Sequence, residues 1–421
     1  MTTRDEGLLD IKDNWRIILA AGICMFFMFG IPTYVLPWVA RSVVADFEWS
    51  RSQATDIASM KFLVGSLFAV AIGWGADRLG PRKITIAACL VGGVTMLSFL
   101  LLDIEGVGPF SAYTFYLILG GCLGFSSLGI MISTKTLLGR LFEENMGTAV
   151  GFALVGTSLA GAVTPYLFGF LKDAYGWREA VAILSCGIWF VALPFYLIAV
   201  KESVGGPAEK KVDNKPIELP EGAITINKML SGRNFWLIAI GLPFIAMTDM
   251  GIAQHYVLYL VNDVGLDESS VKFGGTIMAI IAAFAKPIFG RFYDKKSTKG
   301  IAITYLLLGF AALLLFPIEG FLTMMICLSI KGTAHGGLVS DVPVVTKHCY
   351  GVHGLGKKIA IFTMVYGFGL AGGPRFMGMI HDTYGSYAYG FTTLICLAVI
   401  ASIMMLLVSP DHWLKSKKAN A

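Results

Sequence analysis

Charge is what this sequence has little of. Only 14% of its 421 residues are Asp, Glu, Lys or Arg, against roughly a quarter in soluble domains. Histidine is scarce and dispersed, six in all, so the His-rich spacing of a metal site is missing. The seven cysteines (24, 89, 122, 186, 327, 349 and 396) form no CxxC and no other ligand pattern. They read as packing residues. Buried acids are nearly absent as well: Asp249 and Asp341 are the two carboxylates set deep in apolar runs, too few for the paired-carboxylate or metal chemistry of a membrane enzyme. Neither an enzyme nor a cofactor is expected.

Hydrophobicity is what takes their place. The chain is 56% hydrophobic, with a mean hydropathy of +0.70. A bilayer needs about 17 to 25 apolar residues per crossing. Stretches of that kind cover 15–38, 53–76, 84–102, 110–139, 147–171, 178–200, 235–261, 271–292, 300–319, 321–345, 358–381 and 386–409. The reading is an all-α integral membrane protein with twelve transmembrane helices. The first of these, kinked by Pro32 and Pro37, is expected to be an uncleaved anchor.

With both termini placed inside, 23 of the 33 Lys and Arg fall in inner segments, 5 in outer segments and 5 at depth in the spans. That bias predicts cytoplasmic N- and C-termini in a multi-pass protein of the cell (inner) membrane. The net charge of +5 then reflects a basic face toward anionic lipid and no nucleic-acid partner.

Two repeats divide the chain. "GWGADRLGPRK" at 73–83 and "GRFYDKKSTKG" at 290–300 each read Gly-x-x-x-Asp-basic, with Gly73 and Gly290 separated by 217 residues. "NWRIIL" at 14–19 and "NFWLIAI" at 234–240 open the two halves. Residues 201–234 between them are polar, basic and rich in Pro and Gly, a cytoplasmic linker with a short amphipathic piece around Ile224 to Leu230. Two six-helix bundles, 1–200 and 235–421, are expected to form pseudo-symmetric halves of a monomer.

This organisation resembles the major facilitator superfamily over essentially the whole chain. The resemblance implies that Gly73, Asp77 and Arg78, with Gly290 and Asp294 in the second half, form a conformational latch, the glycine letting helices approach closely. "FEWSRSQ" (47–53), "INKMLSGRNFW" (226–236), "FAKPIFG" (284–290) and "GLAGGPRFMGMIHDTYGSY" (369–387) are similar to the monocarboxylate transporter family and its oxalate:formate antiporter relatives. That branch holds its substrate carboxylate with an arginine before the helix 8 proline; here the matching residue is Lys286, before Pro287, which keeps the charge and loses the bidentate fork. Two other positions depart from the animal members. Ala282 stands where an aspartate is common and Trp38 where a lysine is.

Ionisable groups at membrane depth are functional candidates by default. They are Lys61, Lys135, Asp249, His255, Lys286, Lys331, His335, Asp341 and Arg375. Lys135 lies near the inner boundary, where it can snorkel, and Asp341 is a possible partner for it. His255 reads as a rim or gate residue. Lys61 is twelve residues before Gly73, about 18 Å along a helix, too deep to snorkel. Lys331 and His335 are four apart and share a face.

An excess of buried cations calls for a visiting anion. Lys286, Lys61, Lys331, Arg375 and Tyr34 are therefore the expected substrate contacts, and Asp249 and His335 the proton-coupling groups. A permanent Lys286–Asp249 pair is the competing structural role. The expected function is secondary active transport of small organic anions of monocarboxylate type, with a proton as co-substrate. Bringing one negative charge into a cell negative by 100 mV costs about 2.3 kcal/mol, and a proton cancels that cost. Organic-anion exchange of the oxalate:formate kind is the alternative. A multidrug:proton antiporter fits less well, because "GFALVGTSLAGAVTPYLFG" (151–169) lacks a Gly-Pro step and buried cations repel a cationic drug.

Overall fold

The computed structural model describes residues 14–142, 146–202, 224–351, 355–411 and 414. Most of the expected linker lies outside these. Among the described residues the chain is helical, with one isolated bridge between Val107 and Phe110. Six helices form the first half: α1 (Trp15–Phe47), α2 (Arg51–Leu79), α3 (Pro81–Leu101), α4 (Ala112–Leu141), α5 (Met146–Tyr175) and α6 (Trp177–Ala199). The second half has α7 (Arg233–Asp263), a continuous run Glu268–Leu313, α10 (Phe321–Tyr350), α11 (Leu355–Tyr384) and α12 (Ala388–Leu407).

The run Glu268–Leu313 is two helices. Ser297 sits inside it at φ 52, a left-handed conformation unusual for a residue with a Cβ, and divides α8 (268–296) from α9 (298–313). Ser297 Oγ bonds His348 Nδ1 at 2.9 Å, both buried, which holds the turn in place. Ten described helical stretches are long and apolar enough to cross a membrane. Dividing one at Ser297 and adding α11 yields the twelve read from the sequence. A one-turn helix, Ile226–Leu230, precedes α7, and Thr225 caps it by accepting from the amide of Lys228.

Two compact units are present, Met1–Trp49 with Asp56–Glu209, and Ser50–Thr55 with Lys210–Ala421. The six residues Ser50–Thr55 pack with the second. There the Asp382 carboxylate accepts from the amides of Arg51 and Ser52, each at 3.0 Å, and Arg51 forks onto Asp263 at 2.6 and 2.5 Å.

Within each unit glycines let helix backbones touch. A Cβ on Gly124 of α4 would run into the carbonyl of Lys61 on α2, and one on Gly332 of α10 into the carbonyl of Met278 on α8. Lys61 and Met278 are each twelve residues before the motif glycines Gly73 and Gly290. The two seams are thus the same contact repeated. Similar seams join α1 to α5 at Gly156 against Gly22, and α7 to α11 at Gly369 against Pro243. By contrast, a Cβ at Gly73 or Gly290 would meet nothing within 4 Å.

Candidate functional site: a bridged carboxylate in the second unit

The α10 segment Lys331-Gly-Thr-Ala-His-Gly-Gly337 sets two adjacent ridges on one helix. Gly332 and Gly336 form one, seated on α8. At Gly336 a Cβ would come within 2.5 Å of Ala285 Cβ, 2.8 Å of the Ala282 carbonyl and 3.2 Å of the Lys286 amide nitrogen. Only glycine fits there, and its absence of side chain brings the Lys286 backbone beside α10. Lys331 and His335, each one residue earlier, form the second ridge, rotated by about 100° toward α7.

On α7 that ridge meets Asp249. Lys331 Nζ lies 3.1 Å from Asp249 Oδ1, and His335 Nδ1 lies 2.8 Å from Oδ2. A carboxylate oxygen accepts, so Nδ1 carries the proton in this bond. Asp249 is 1% exposed and Lys331 2%, while His335 is half-buried. The aspartate's partner lysine is therefore Lys331 and not Lys286. The sequence offers no way to see this, because the pairing depends on which ridge of α10 the glycines turn toward α8.

Lys286 is half-buried on α8, and Pro287 follows it inside the helix. A proline there leaves the Ala283 carbonyl without its helical donor. Tyr366 on α11 lies within electrostatic reach of both Asp249 and Asp341.

Asp341 finds hydrogen-bond partners within the second unit. Its Oδ2 accepts from the Tyr305 hydroxyl at 2.9 Å and its Oδ1 from the amide of Val342 at 2.6 Å, whereas Lys135 in the first unit is exposed. His255 is not on a rim. It is 1% exposed and bridges α11 and the start of α12, with Nε2 2.7 Å from the Pro374 carbonyl and Nδ1 2.8 Å from the Tyr387 hydroxyl. The carbonyl can only accept, so Nε2 donates there, and the ring ties α7 to α11 and to the start of α12. Arg375, next to Pro374, is exposed.

The first unit holds its own buried cation. Lys61 is 2% exposed; its Nζ donates to Thr33 Oγ1 at 2.5 Å and lies 5.4 and 5.3 Å from the ring centroids of Phe29 and Phe62. Among the described residues no carboxylate pairs with it. Phe29 belongs to a π-helical turn, Met25–Gly30, inside α1, a wide turn of a kind frequent at functional sites. Neither Thr33 nor this turn was among the sequence candidates, since a π turn leaves no compositional mark. Tyr34, the next residue, is half-buried. At the latch positions, Asp77, Arg78 and Asp294 are exposed, and Arg78 stacks on Trp74 at 4.3 Å. No group of His, Cys, Asp and Glu among the described residues is arranged to hold a metal.

Comparison with known proteins agrees with this architecture. The family model of the Major Facilitator Superfamily matches residues 18–259 and 242–421. Monocarboxylate transporter 13 of Rattus norvegicus is 23% identical over 390 residues, covering 90% of this chain and 85% of that protein. A nitrite extrusion protein of Bacillus subtilis (strain 168) is 22% identical over 389 residues, with 90% of each covered. Among solved structures, a bacterial homologue of the human lysosomal transporter Spinster superposes with a TM-score of 0.74 at 15% identity, over 96% of this chain and 98% of that one. The chain belongs to the Major Facilitator Superfamily and is a multi-pass membrane transporter, not an enzyme.

Proposed function

We propose that the protein carries small organic anions of monocarboxylate type across the cell (inner) membrane together with a proton, its termini on the cytoplasmic side. One observation carries the reading: a buried carboxylate, Asp249, is held by two bases on one ridge of α10, beside the stretch of α8 that bears Lys286. Relatives named monocarboxylate transporters, and one named for nitrite extrusion, support an anionic substrate.

In the empty carrier Asp249 supplies the counter-charge that Lys331 needs. An entering carboxylate engages Lys286 and competes for Lys331 and His335. Asp249 then loses its partners in a site that cannot leave a bare carboxylate unpaired, and it takes up a proton. Anion and proton are loaded together, and no net charge crosses with them. Lys61, Tyr34 and Arg375 are further anion contacts in this reading, and the Gly73-Asp77-Arg78 and Gly290-Asp294 turns are its latch. Exchange of one organic anion for another is the alternative, in which Asp249 keeps its bases throughout.

The test is uptake of labelled lactate, pyruvate, formate, oxalate and benzoate into proteoliposomes, with and without an inward proton gradient. The expected result is gradient-driven accumulation of a monoanion that Lys286→Ala abolishes. Uptake only into anion-preloaded vesicles would establish exchange instead, and normal transport by Lys286→Ala would remove that lysine from the site.

A further inference from the structure

We infer that Asp341 is a second proton-holding station of the carrier, from which the Asp249 site is charged with its proton. The inference rests on the proton-coupled reading above. Asp341 is 0% exposed, and among the described residues no base lies within ion-pair distance of it. Its surroundings are named by element. Tyr305 on α9 donates to Oδ2; Tyr293 on α8 and Tyr366 on α11 lie within electrostatic reach, as does the Asp249 carboxylate on α7. Three phenols and a second acid surround a carboxyl group that has only one phenol and one amide as donors. An ionised carboxylate buried in this way, facing another negative charge, is strongly disfavoured, so the resting form carries a proton.

The repeat shows that the fold does not need an acid here. Gly124 and Gly332 make the equivalent seams of the two units and are 208 residues apart, and the same interval separates Ser133 from Asp341. Ser133 on α4 bonds Thr85 on α3 through their hydroxyls at 2.8 Å, as Asp341 on α10 bonds Tyr305 on α9. A neutral hydroxyl pair suffices to tie the two helices in the first unit. The carboxyl group in the second unit adds a transferable proton to the same tie.

The two acids then have complementary charge states. Asp249 is ionised between Lys331 and His335 while Asp341 is protonated. When substrate takes the bases from Asp249, one proton leaves Asp341 and one arrives on Asp249. Tyr366 lies within electrostatic reach of both acids. Asp341 is left ionised and takes a new proton from solvent at its end of α10, so one proton enters for each anion bound.

Asp341→Asn tests the assignment, because the amide keeps an acceptor for Tyr305 and removes the proton. Two assays on the same proteoliposomes separate its role from structure: uptake driven by an inward proton gradient, and exchange against preloaded substrate, which needs no net proton movement. The expected result is a loss of gradient-driven accumulation of about tenfold or more with exchange within about twofold of wild type, and recovery of accumulation in Asp341→Glu. Equal accumulation by Asp341→Asn and wild type would overturn the inference while leaving proton coupling intact. If Asp341→Asn lowers both rates equally, Tyr305→Phe decides: an equal fall there, with Asp341 still acidic, makes the pair structural and overturns the inference. Wild-type vesicles that ignore the gradient would overturn the proton-coupled reading itself.

Discussion

The most exacting prediction concerns the bridge between α7 and α10. Lys331 and Asp249 are both buried and 3.1 Å apart, so with an effective dielectric of about 20 their attraction is roughly 5 kcal/mol. Desolvation opposes much of that, which is why removing both charges is expected to cost little while removing one is costly. Asp249→Asn strands the Lys331 ammonium in a dry site. Lys331→Gln leaves Asp249 with His335 alone. Loss of one partner from a buried pair typically destabilises by about 3 to 5 kcal/mol. At about 2 to 4 °C per kcal/mol for a unit of this size, each single variant should melt roughly 10 °C below wild type, and Lys331→Gln should fall less because His335 remains. The double variant should recover at least half of the summed loss, a coupling of about 3 kcal/mol or more. The protein supplies its own probe: Cys327 and Cys349 are free and buried in the same unit, so a thiol-reactive dye in detergent follows its melting above the signal from exposed Cys186 and Cys396. Additive losses in the double variant, or single variants within 2 °C of wild type, would show that the pair is not an energetic unit.

Lys61→Met should leave the melting temperature unchanged or higher, since an isosteric apolar chain replaces a buried cation that no carboxylate among the described residues pairs with, yet weaken apparent substrate affinity about tenfold or more, the worth of one charge-assisted hydrogen bond; unchanged KM would make Lys61 structural. Gly332→Val should reduce folded yield and destabilise by about 1 to 3 kcal/mol through overpacking on the Met278 carbonyl, measured by size-exclusion recovery, whereas Gly290→Ala, in open space, should recover normally. Asp267 caps α8, accepting from the Ser269 hydroxyl and the amides of Ser269 and Ser270, and the Ser269 and Ser270 bonds hold its carboxyl below the ordinary value of 3.8. A depressed folded value means that its stabilisation is fully present above 3.8 and is lost as pH falls through the lower value, so Asp267→Ala should melt below wild type at pH 7 and the gap should close as pH falls below that lower value.

Composition and spacing made much of the fold legible. Twelve spans follow from apolar length alone, and the Gly73 and Gly290 turns expose the repeat, because bilayer thickness and helix rise leave few alternatives. Lys331 and His335 share a face for the same reason. What that face meets could not be read. Asp249 was as plausible a partner for Lys286 until the positions of Gly332 and Gly336 fixed the rotation of α10, and nothing in the sequence marks Tyr305 as a hydrogen-bond partner of Asp341. Cross-helix partners depend on rotation about each axis, which a sequence period does not fix when nearly every face is apolar. The π turns at Met25–Gly30, Ile188–Ala192 and Tyr259–Asp263 are equally silent in composition. The turn at Ser297 was anticipated as a gap between spans and found as an almost uninterrupted helix, its left-handed residue secured by His348.

The glycine seams have a mechanical consequence. Where Gly124 rests on the Lys61 carbonyl and Gly336 on the Ala282–Lys286 backbone, no compressible side chain lies between the helices, and close-packed contacts have few intermediate positions. Each pair, α2 with α4 and α8 with α10, therefore behaves as a single stiff beam with a charged residue mounted on its inner surface. A tug on the ammonium of Lys286 is delivered through the Gly336 contact from α8 to α10 without being absorbed. Bending is left to helices interrupted by wide π turns, α1 and α7 among them, which act as springs.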